Sequence, residues 1–177
     1  MNVNVRRGLL WACMTLGTAA LCMPNAMTIP ISIVYNPSDS VARGWYRIGG
    51  IDGANPLHPG SIVLARLPAG AAALAAQRGY LPAGVPILKR IGAVAPQVAC
   101  VRERIVRIDG AAVGIVRTHD GAFRSMPSWT QCGPLAEGEL FLLSDTNPAS
   151  FDSRYFGPIA ASAVIGVAQP LWTWSTP

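Results

Sequence analysis

The chain has 177 residues, a size that fits one domain, and a formal net charge of +5. Hydrophobic residues make up 51% of it and charged residues only 13%, which is a low charged fraction for a soluble protein. Its arginines are scattered and do not alternate with aromatic residues, so the composition argues against nucleic-acid binding.

The N-terminal segment predicts a membrane anchor. Residues 1–7 end in two arginines, and residues 8–23 carry no charge. This apolar run is shorter than the roughly 20 residues of a usual spanning helix, and a cleaved signal peptide is the alternative. Residues 24–26, Pro-Asn-Ala, make a poor small-x-small cleavage site. We therefore expect a cytoplasmic N-terminus at 1–7, an anchor (or uncleaved signal) at 8–28, and an exported domain at 29–177.

Short runs that are β-branched or alternate in polarity predict a mainly β body. They are residues 29–35, 44–48, 61–67, 87–94, 98–108, 111–117 and 139–144, and a late apolar run at 160–168 predicts a strand that returns to the core. Asp109-Gly110 suits a two-residue hairpin turn. Residues 68–79 are alanine-rich and predict a helix. The expected fold is a bent, partly open β-barrel or sandwich on one N-terminal transmembrane helix.

Two cysteines predict one disulfide. Cys100 and Cys132 are the cysteines of the exported part, and such a pair in an oxidising compartment typically forms a bridge. The closed loop of about 30 residues would contribute roughly 3 kcal/mol to stability. The Cys and His spacings do not suggest zinc, and we expect neither a metal nor a cofactor.

One lysine stands out among the basic residues. Of the 14, all but Lys89 are arginine, and Lys89 lies in the apolar stretch 85–94, VPILKRIGAV. A lysine in an apolar pocket can lose its proton because burial penalises the ammonium form, whereas arginine stays charged. The alternative is that the composition is biased towards arginine and that this one lysine is present by chance. His58 and His119 look like turn residues, so a serine activated here would use lysine as its base.

Two polar segments could complete such a site. Residues 35–46 place Ser38 and Ser40 in a turn between two strands, where a hydroxyl can project beside backbone N–H groups. A plain turn explains the same residues. Residues 144–158 hold Ser150, Asp152 and Arg154 between two apolar runs, so that the ions could pair and the serine could reach an amine. The alternative is a polar loop that only joins two strands.

The three segments together resemble the signal peptidase I clan of Ser/Lys proteases, most closely its TraF-type branch of conjugative-transfer maturation peptidases. The pattern Asn-x-x-x-Ser-x-Pro-Arg-Gly-x-Tyr corresponds to residues 36–46, NPSDSVARGWY, with Ala42 in place of the proline. The lysine box corresponds to residues 88–91, and the last box, Ser-x-Asp-Ser-Arg-Tyr-x-Gly, to residues 150–157, SFDSRYFG, without a departure.

The resemblance implies a role for each of six residues: Ser40 as nucleophile, Lys89 as general base, Ser38 in the oxyanion hole, Ser150 orienting the lysine, and Asp152 and Arg154 supporting the site. It implies an inner-membrane anchor, a catalytic domain in the periplasm, and a membrane-embedded pilin or signal-peptide-bearing precursor as substrate. Maturation of a pilin, with or without cyclisation, is the expected function. A general signal peptidase and a catalytically idle envelope assembly protein are the alternatives.

Overall fold

The computed structural model describes residues 11, 14, 32–53, 56–144 and 146–174. The chain divides into two compact units, Met1–Pro30 and Ile31–Pro177. In the first unit Trp11 and Met14 are helical and exposed, and the rest of the predicted anchor at 8–28 lies outside the described residues. No helix in the described part of the chain has the length and apolar character needed to cross a bilayer.

The second unit is mainly β, as predicted. Its described residues form the strands β1 (Ser32–Asn36), β2 (Gly44–Gly49), β3 (Ile62–Ala65), β4 (Ile87–Val94), β5 (Val98–Arg102), β6 (Ile105–Ile108), β7 (Ala111–Ile115), β8 (Cys132–Pro134), β9 (Glu139–Leu142), β10 (Ile159–Ala160) and β11 (Val164–Thr173). The helices are α1 (Ala69–Arg78) and the one-turn α2 (Ser153–Phe156), and residues Ala161–Ala163 form a 3-10 turn.

A seven-stranded antiparallel sheet in the order β1-β2-β11-β3-β4-β9-β10 carries the site. Both β4 and β11 change partner along their length, with register shifts between Ile91 and Ala93 and between Val164 and Gly166. Such irregularities bend strands and increase their twist. β1 and β10 remain as edges of the sheet, so it is bent and open, in agreement with the predicted architecture.

The second sheet, in the order β7-β6-β5-β8, contains the predicted hairpin and the predicted disulfide. Asp109 and Gly110 join β6 to β7 with φ of 50° and 84°, as a two-residue hairpin turn requires. The Cys100–Cys132 bridge crosses directly between paired positions of β5 and β8. The predicted strand 98–108 was wrong as one element, because Glu103 and Arg104 form a second turn with φ of 51° and 63°.

The core explains the position of the lysine. On β4, Ile87 and Ile91 are buried in one apolar cluster while Leu88 packs in another. Because side chains alternate between the two faces of a strand, Lys89 points to the same face as Ile87 and Ile91. The strand therefore carries an amine into a row of buried aliphatic side chains.

Candidate active site

The turn between β1 and β2 is organised by the side chain of Asn36. Its Nδ2 donates to the carbonyls of Ser38, Val41 and Ala42 at 2.9, 3.1 and 3.1 Å. Its Oδ1 accepts from the backbone N–H and the hydroxyl of Ser38 at 3.1 and 2.8 Å. Sequence reasoning did not assign Asn36 a function, although it opens the motif; its buried amide replaces the backbone partners that a tight turn lacks.

Ser40 is buried beside Ser38. Its Oγ lies 2.9 Å from Ser38 Oγ and 3.2 Å from the Leu88 carbonyl oxygen. A hydroxyl has one proton, and Ser38 directs its own to Asn36, so the single Ser40 proton can go either to Ser38 Oγ or to the Leu88 carbonyl. The Ser40 backbone N–H donates to no backbone carbonyl within the described part of the chain. The turn thus presents a hydroxyl and an available N–H at one point.

The end of the motif fixes the turn against the sheet. A Cβ at Gly44, which has φ of 144°, would lie 2.1 Å from the Trp172 carbonyl oxygen, so only glycine lets β11 approach this closely. The buried Tyr46 donates its hydroxyl to the Ala42 carbonyl at 2.6 Å. The amide of Asn36 binds the same carbonyl, so two side chains hold the backbone where the family pattern has proline.

Lys89 is only 5% exposed and lies on β4, the strand between β3 and β9 in the sheet. Burial lowers the pKa of its ammonium to about 8; the charge of Asp152 opposes this shift and that of Arg154 adds to it. Lys89 Nζ donates a buried hydrogen bond to Ser150 Oγ. A large fraction of this lysine is therefore neutral in mildly alkaline solution, as a general base must be.

The last sequence box builds a buried ion pair behind Ser150. Arg154 and Asp152 are 1% and 0% exposed and pair through Nε to Oδ1 at 2.8 Å and Nη2 to Oδ2 at 2.7 Å. The remaining guanidinium hydrogens reach the carbonyls of Ile115, Asn147, Pro148 and Ser150. These guanidinium hydrogen bonds hold the loop that carries Ser150. Arg154 therefore helps to position the serine that Lys89 contacts.

Ser144 connects the two polar segments. Its Oγ donates to the Ser40 carbonyl at 2.9 Å, and its N–H donates to Asp152 Oδ2 at 3.0 Å. Both contacts are buried, so the turn between β1 and β2 and the loop that carries the ion pair are tied together through one residue. The sequence placed Ser144 at the start of the second polar segment but gave no reason to separate it from the other hydroxyls there.

The structure brings the predicted residues to one cavity of about 740 Å³. Ser38, Ser40, Lys89 and Ser150 line it, whereas Asp152 and Arg154 lie behind the wall. Among the described contacts none joins Ser40 Oγ to Lys89 Nζ, but the bond to Leu88 places the hydroxyl against the peptide that leads into the lysine. A hydroxyl, a buried amine and an available N–H are the groups that acyl transfer by a serine requires.

The family model described as "Signal peptidase, peptidase S26" matches residues 6–174, and the chain belongs to this peptidase family. The resemblance to the TraF-type branch is confirmed. The chain is 32% identical to the conjugal transfer protein TraF of Agrobacterium fabrum over 90% of its own length and 94% of the relative's. It is 28% identical to a plasmid transfer protein TraF of Escherichia coli, over 89% and 92% of the two lengths.

A solved structure also matches, more distantly. A signal peptidase I from Enterococcus faecalis aligns with 64% of this chain and 97% of that chain, at 21% identity and a TM-score of 0.40. A likeness of this degree supports no conclusion about the site, and the family rests on the sequence matches.

Proposed function

We propose that this chain is a serine endopeptidase with Ser40 as nucleophile and Lys89 as general base, and that it matures a pilin precursor in conjugative transfer. The observation that carries the proposal is a lysine buried in the cavity that also holds the Ser40 hydroxyl. Burying an amine opposes folding, and a catalytically idle protein would gain stability from an apolar residue there. The names of the relatives, which are conjugal and plasmid transfer proteins, support the biological setting.

The proposed reaction uses groups that the chain itself supplies. Ser40 Oγ attacks the scissile carbonyl and forms the C–O bond while its proton passes to Lys89 Nζ. The Ser40 N–H and the Ser38 hydroxyl stabilise the oxyanion, after Ser38 turns its proton from Asn36 to the substrate. The Lys89 ammonium then protonates the leaving amine as the C–N bond breaks. Water, or the amine of the same pilin chain, attacks the acyl-enzyme, releasing a linear or a cyclic product.

Ser150, Asp152 and Arg154 act in this proposal by positioning. Ser150 holds the amine of Lys89, and the ion pair holds the loop that carries Ser150. Lys89 must exchange its hydrogen bond from Ser150 to Ser40 during turnover. Asp152 and Arg154 lie behind the cavity wall and need no contact with the substrate.

An extended peptide is the substrate that fits the site. β1 is an edge strand, and it leads directly into Ser38 and Ser40. An edge strand offers unpaired backbone groups to which a peptide can add as a further strand. Leu64 of β3, Ile87 and Leu88 of β4, and the segment between α1 and β4 contribute apolar side chains to the cavity lining, which suits the membrane-embedded end of a precursor.

We further propose the domain arrangement 1–7 cytoplasmic, 8–28 inner-membrane anchor and 29–177 periplasmic. Exposed aromatic rings of the second unit support a location at a membrane surface. Tyr35 lies 5.1 Å from the ring of Trp45 and 5.9 Å from that of Trp174, and Trp172, 72% exposed, adjoins them. Tryptophan and tyrosine favour the interface between lipid and water.

Intact-protein mass spectrometry of a co-expressed pilin precursor tests the function. Wild-type protein is expected to lower the precursor's mass, whereas Ser40→Ala and Lys89→Arg leave it unchanged. A further loss of one water distinguishes ring closure from hydrolysis. Unchanged precursor with all three proteins would contradict pilin maturation. Cleavage of unrelated exported precursors would instead favour a general signal peptidase, which the family description also supports.

A further inference from the structure

Two loops far apart in sequence form one wall of the catalytic cavity. The first follows α1 and contains Tyr80; the second follows β7 and contains Asp120 and Met126. Tyr80 Oη donates to Asp120 Oδ2 at 2.5 Å and lies 3.2 Å from Met126 Sδ. We call the Tyr80–Asp120 contact and the Arg124 side chain that covers it the clasp.

The carboxylate of Asp120 is the centre of the clasp. Its side chain is 6% exposed and accepts from the backbone N–H groups of Ala122 and Arg124, both at 2.9 Å, and from Arg124 Nε at 2.7 Å. Arg124 also lies 5.7 Å from the centre of the Tyr80 ring and donates to the Arg78 carbonyl. The Tyr80 hydroxyl lowers the pKa of Asp120, so the carboxylate stays charged wherever Lys89 is neutral.

The clasp holds the Tyr80 ring next to the positioning residues of the site. Tyr80 packs against Phe151 at 5.5 Å, and Phe151 stacks on Tyr155 at 5.8 Å. All three rings line the cavity, and Phe151 directly follows Ser150, the hydrogen-bond partner of Lys89. The cavity therefore has an aromatic wall beside Lys89, and a hydrogen bond to the Asp120 carboxylate holds the Tyr80 ring in that wall.

We propose that Tyr80 is a specificity-determining residue, whose ring, held by Asp120, forms with Phe151 and Tyr155 a subsite for a bulky apolar side chain of the peptide substrate. The proposal rests on the proposed function for the class of substrate. A small side chain would leave the wall uncovered and its apolar surface in water. A hydrophobic pocket discriminates by about tenfold or more for even one methylene, so the preference should be measurable.

Peptide binding to a protein that cannot turn over tests the subsite apart from catalysis. In the Ser40→Ala background, fluorescence anisotropy would measure the affinity of labelled alanine-rich peptides in which a single phenylalanine is moved through each position. We expect one position to raise affinity about tenfold or more over the all-alanine peptide. Adding Tyr80→Ala should remove most of that gain while leaving the affinity of the all-alanine peptide nearly unchanged.

Two further variants separate loss of the wall from loss of the fold. Tyr80→Phe keeps the ring but removes its hydrogen bond to Asp120, so it should retain a preference that is weaker than in the protein with Tyr80 and stronger than with Tyr80→Ala. Phe123→Ala, on the same loop as Asp120 but 89% exposed and outside the cavity, should leave the preference unchanged. A thermal melt of each protein shows whether it is folded.

The outcomes distinguish the inference from the proposed function. A phenylalanine preference that survives Tyr80→Ala, an equal loss of affinity for all peptides, or no binding of any peptide would overturn the subsite. Cleavage of the same peptides by the protein with Ser40 intact reports on the peptidase activity separately. Preferential binding without cleavage would leave the subsite in place and contradict the peptidase.

Discussion

Lys89 and Ser150 are joined by a buried hydrogen bond from the lysine ammonium to the serine hydroxyl, across 61 residues of sequence. The carbonyl of Ser150 in turn accepts from Arg154, which is paired with Asp152. The amine is thus held by contacts from residues 150–154 as well as by its place on β4.

The pH dependence of turnover reports the state of Lys89. Burial lowers the pKa of its ammonium to about 8, and only the neutral amine can accept a proton from Ser40. We expect kcat/KM for a peptide substrate to be about a tenth of its maximum at pH 7, to reach half of the maximum at about pH 8, and to level off at higher pH. A flat profile between pH 6 and 9 would remove Lys89 as the base.

Stability should depend on pH through the same residue. The folded pKa of about 8 lies below the unfolded value of 10.5, so between them the unfolded chain binds more protons and stability rises with pH. Relative to wild type, Lys89→Met should be most stabilising below pH 8 and lose roughly 3 kcal/mol of that advantage by pH 10.5. Urea unfolding across this range measures the difference in unfolding free energy between Lys89→Met and wild type. A difference that does not change with pH would show that folding does not lower the pKa of Lys89.

The hydroxyl of Ser38 should contribute to the rate without being essential. Ser38→Ala removes one proposed oxyanion donor and is expected to lower kcat by about 10²–10³, leaving measurable turnover. Asp39→Ala is the matched control in the same turn, because its ion pair with Arg43 is exposed and worth little. Equal rates for Ser38→Ala and wild type would exclude Ser38 from the reaction.

Replacing Arg154 by lysine should destabilise the protein, because the buried guanidinium makes two hydrogen bonds to Asp152. Arg154→Lys keeps the charge but cannot pair with both oxygens of Asp152 while reaching four carbonyls. We expect a loss of roughly 3 kcal/mol in unfolding free energy and a lower kcat, since Ser150 loses its support. Arg43→Lys, at an exposed pair, is the control and should change neither. A variant of Arg154 as stable and active as wild type would contradict the positioning role.

The disulfide should stabilise the second sheet rather than the reaction. Replacing Cys100 and Cys132 by serine is expected to lower the unfolding free energy by roughly 3 kcal/mol, from the loop that the bridge closes. Neither cysteine lines the cavity that holds Ser40 and Lys89, so kcat of the folded variant should stay within about twofold of wild type. Denaturant unfolding with and without reductant measures the first effect, and an assay well below the unfolding midpoint measures the second.

Local chemistry made several elements predictable. The Asp109-Gly110 hairpin, the strand at residues 87–94 and the alanine-rich helix depend on neighbouring residues and were placed correctly. The turn at Glu103 and Arg104 was missed because neither residue type favours a left-handed backbone. Pairing of β5 with β6 stabilises that turn, and pairing is not visible in a local pattern.

The motifs of the sequence determined the family, six candidate residues of the site and the partners of the disulfide, because each depends on which side chains are present and on their spacing. Tertiary structure decided how those residues are connected. Asn36 orders the turn between β1 and β2, Ser144 ties that turn to the ion-pair loop, and Tyr80 reaches Asp120 from a separate loop. The bonds of Ser144 and Tyr80 join groups 104 and 40 residues apart, which only the packing of the folded chain brings within hydrogen-bond distance, and no local rule encodes that packing.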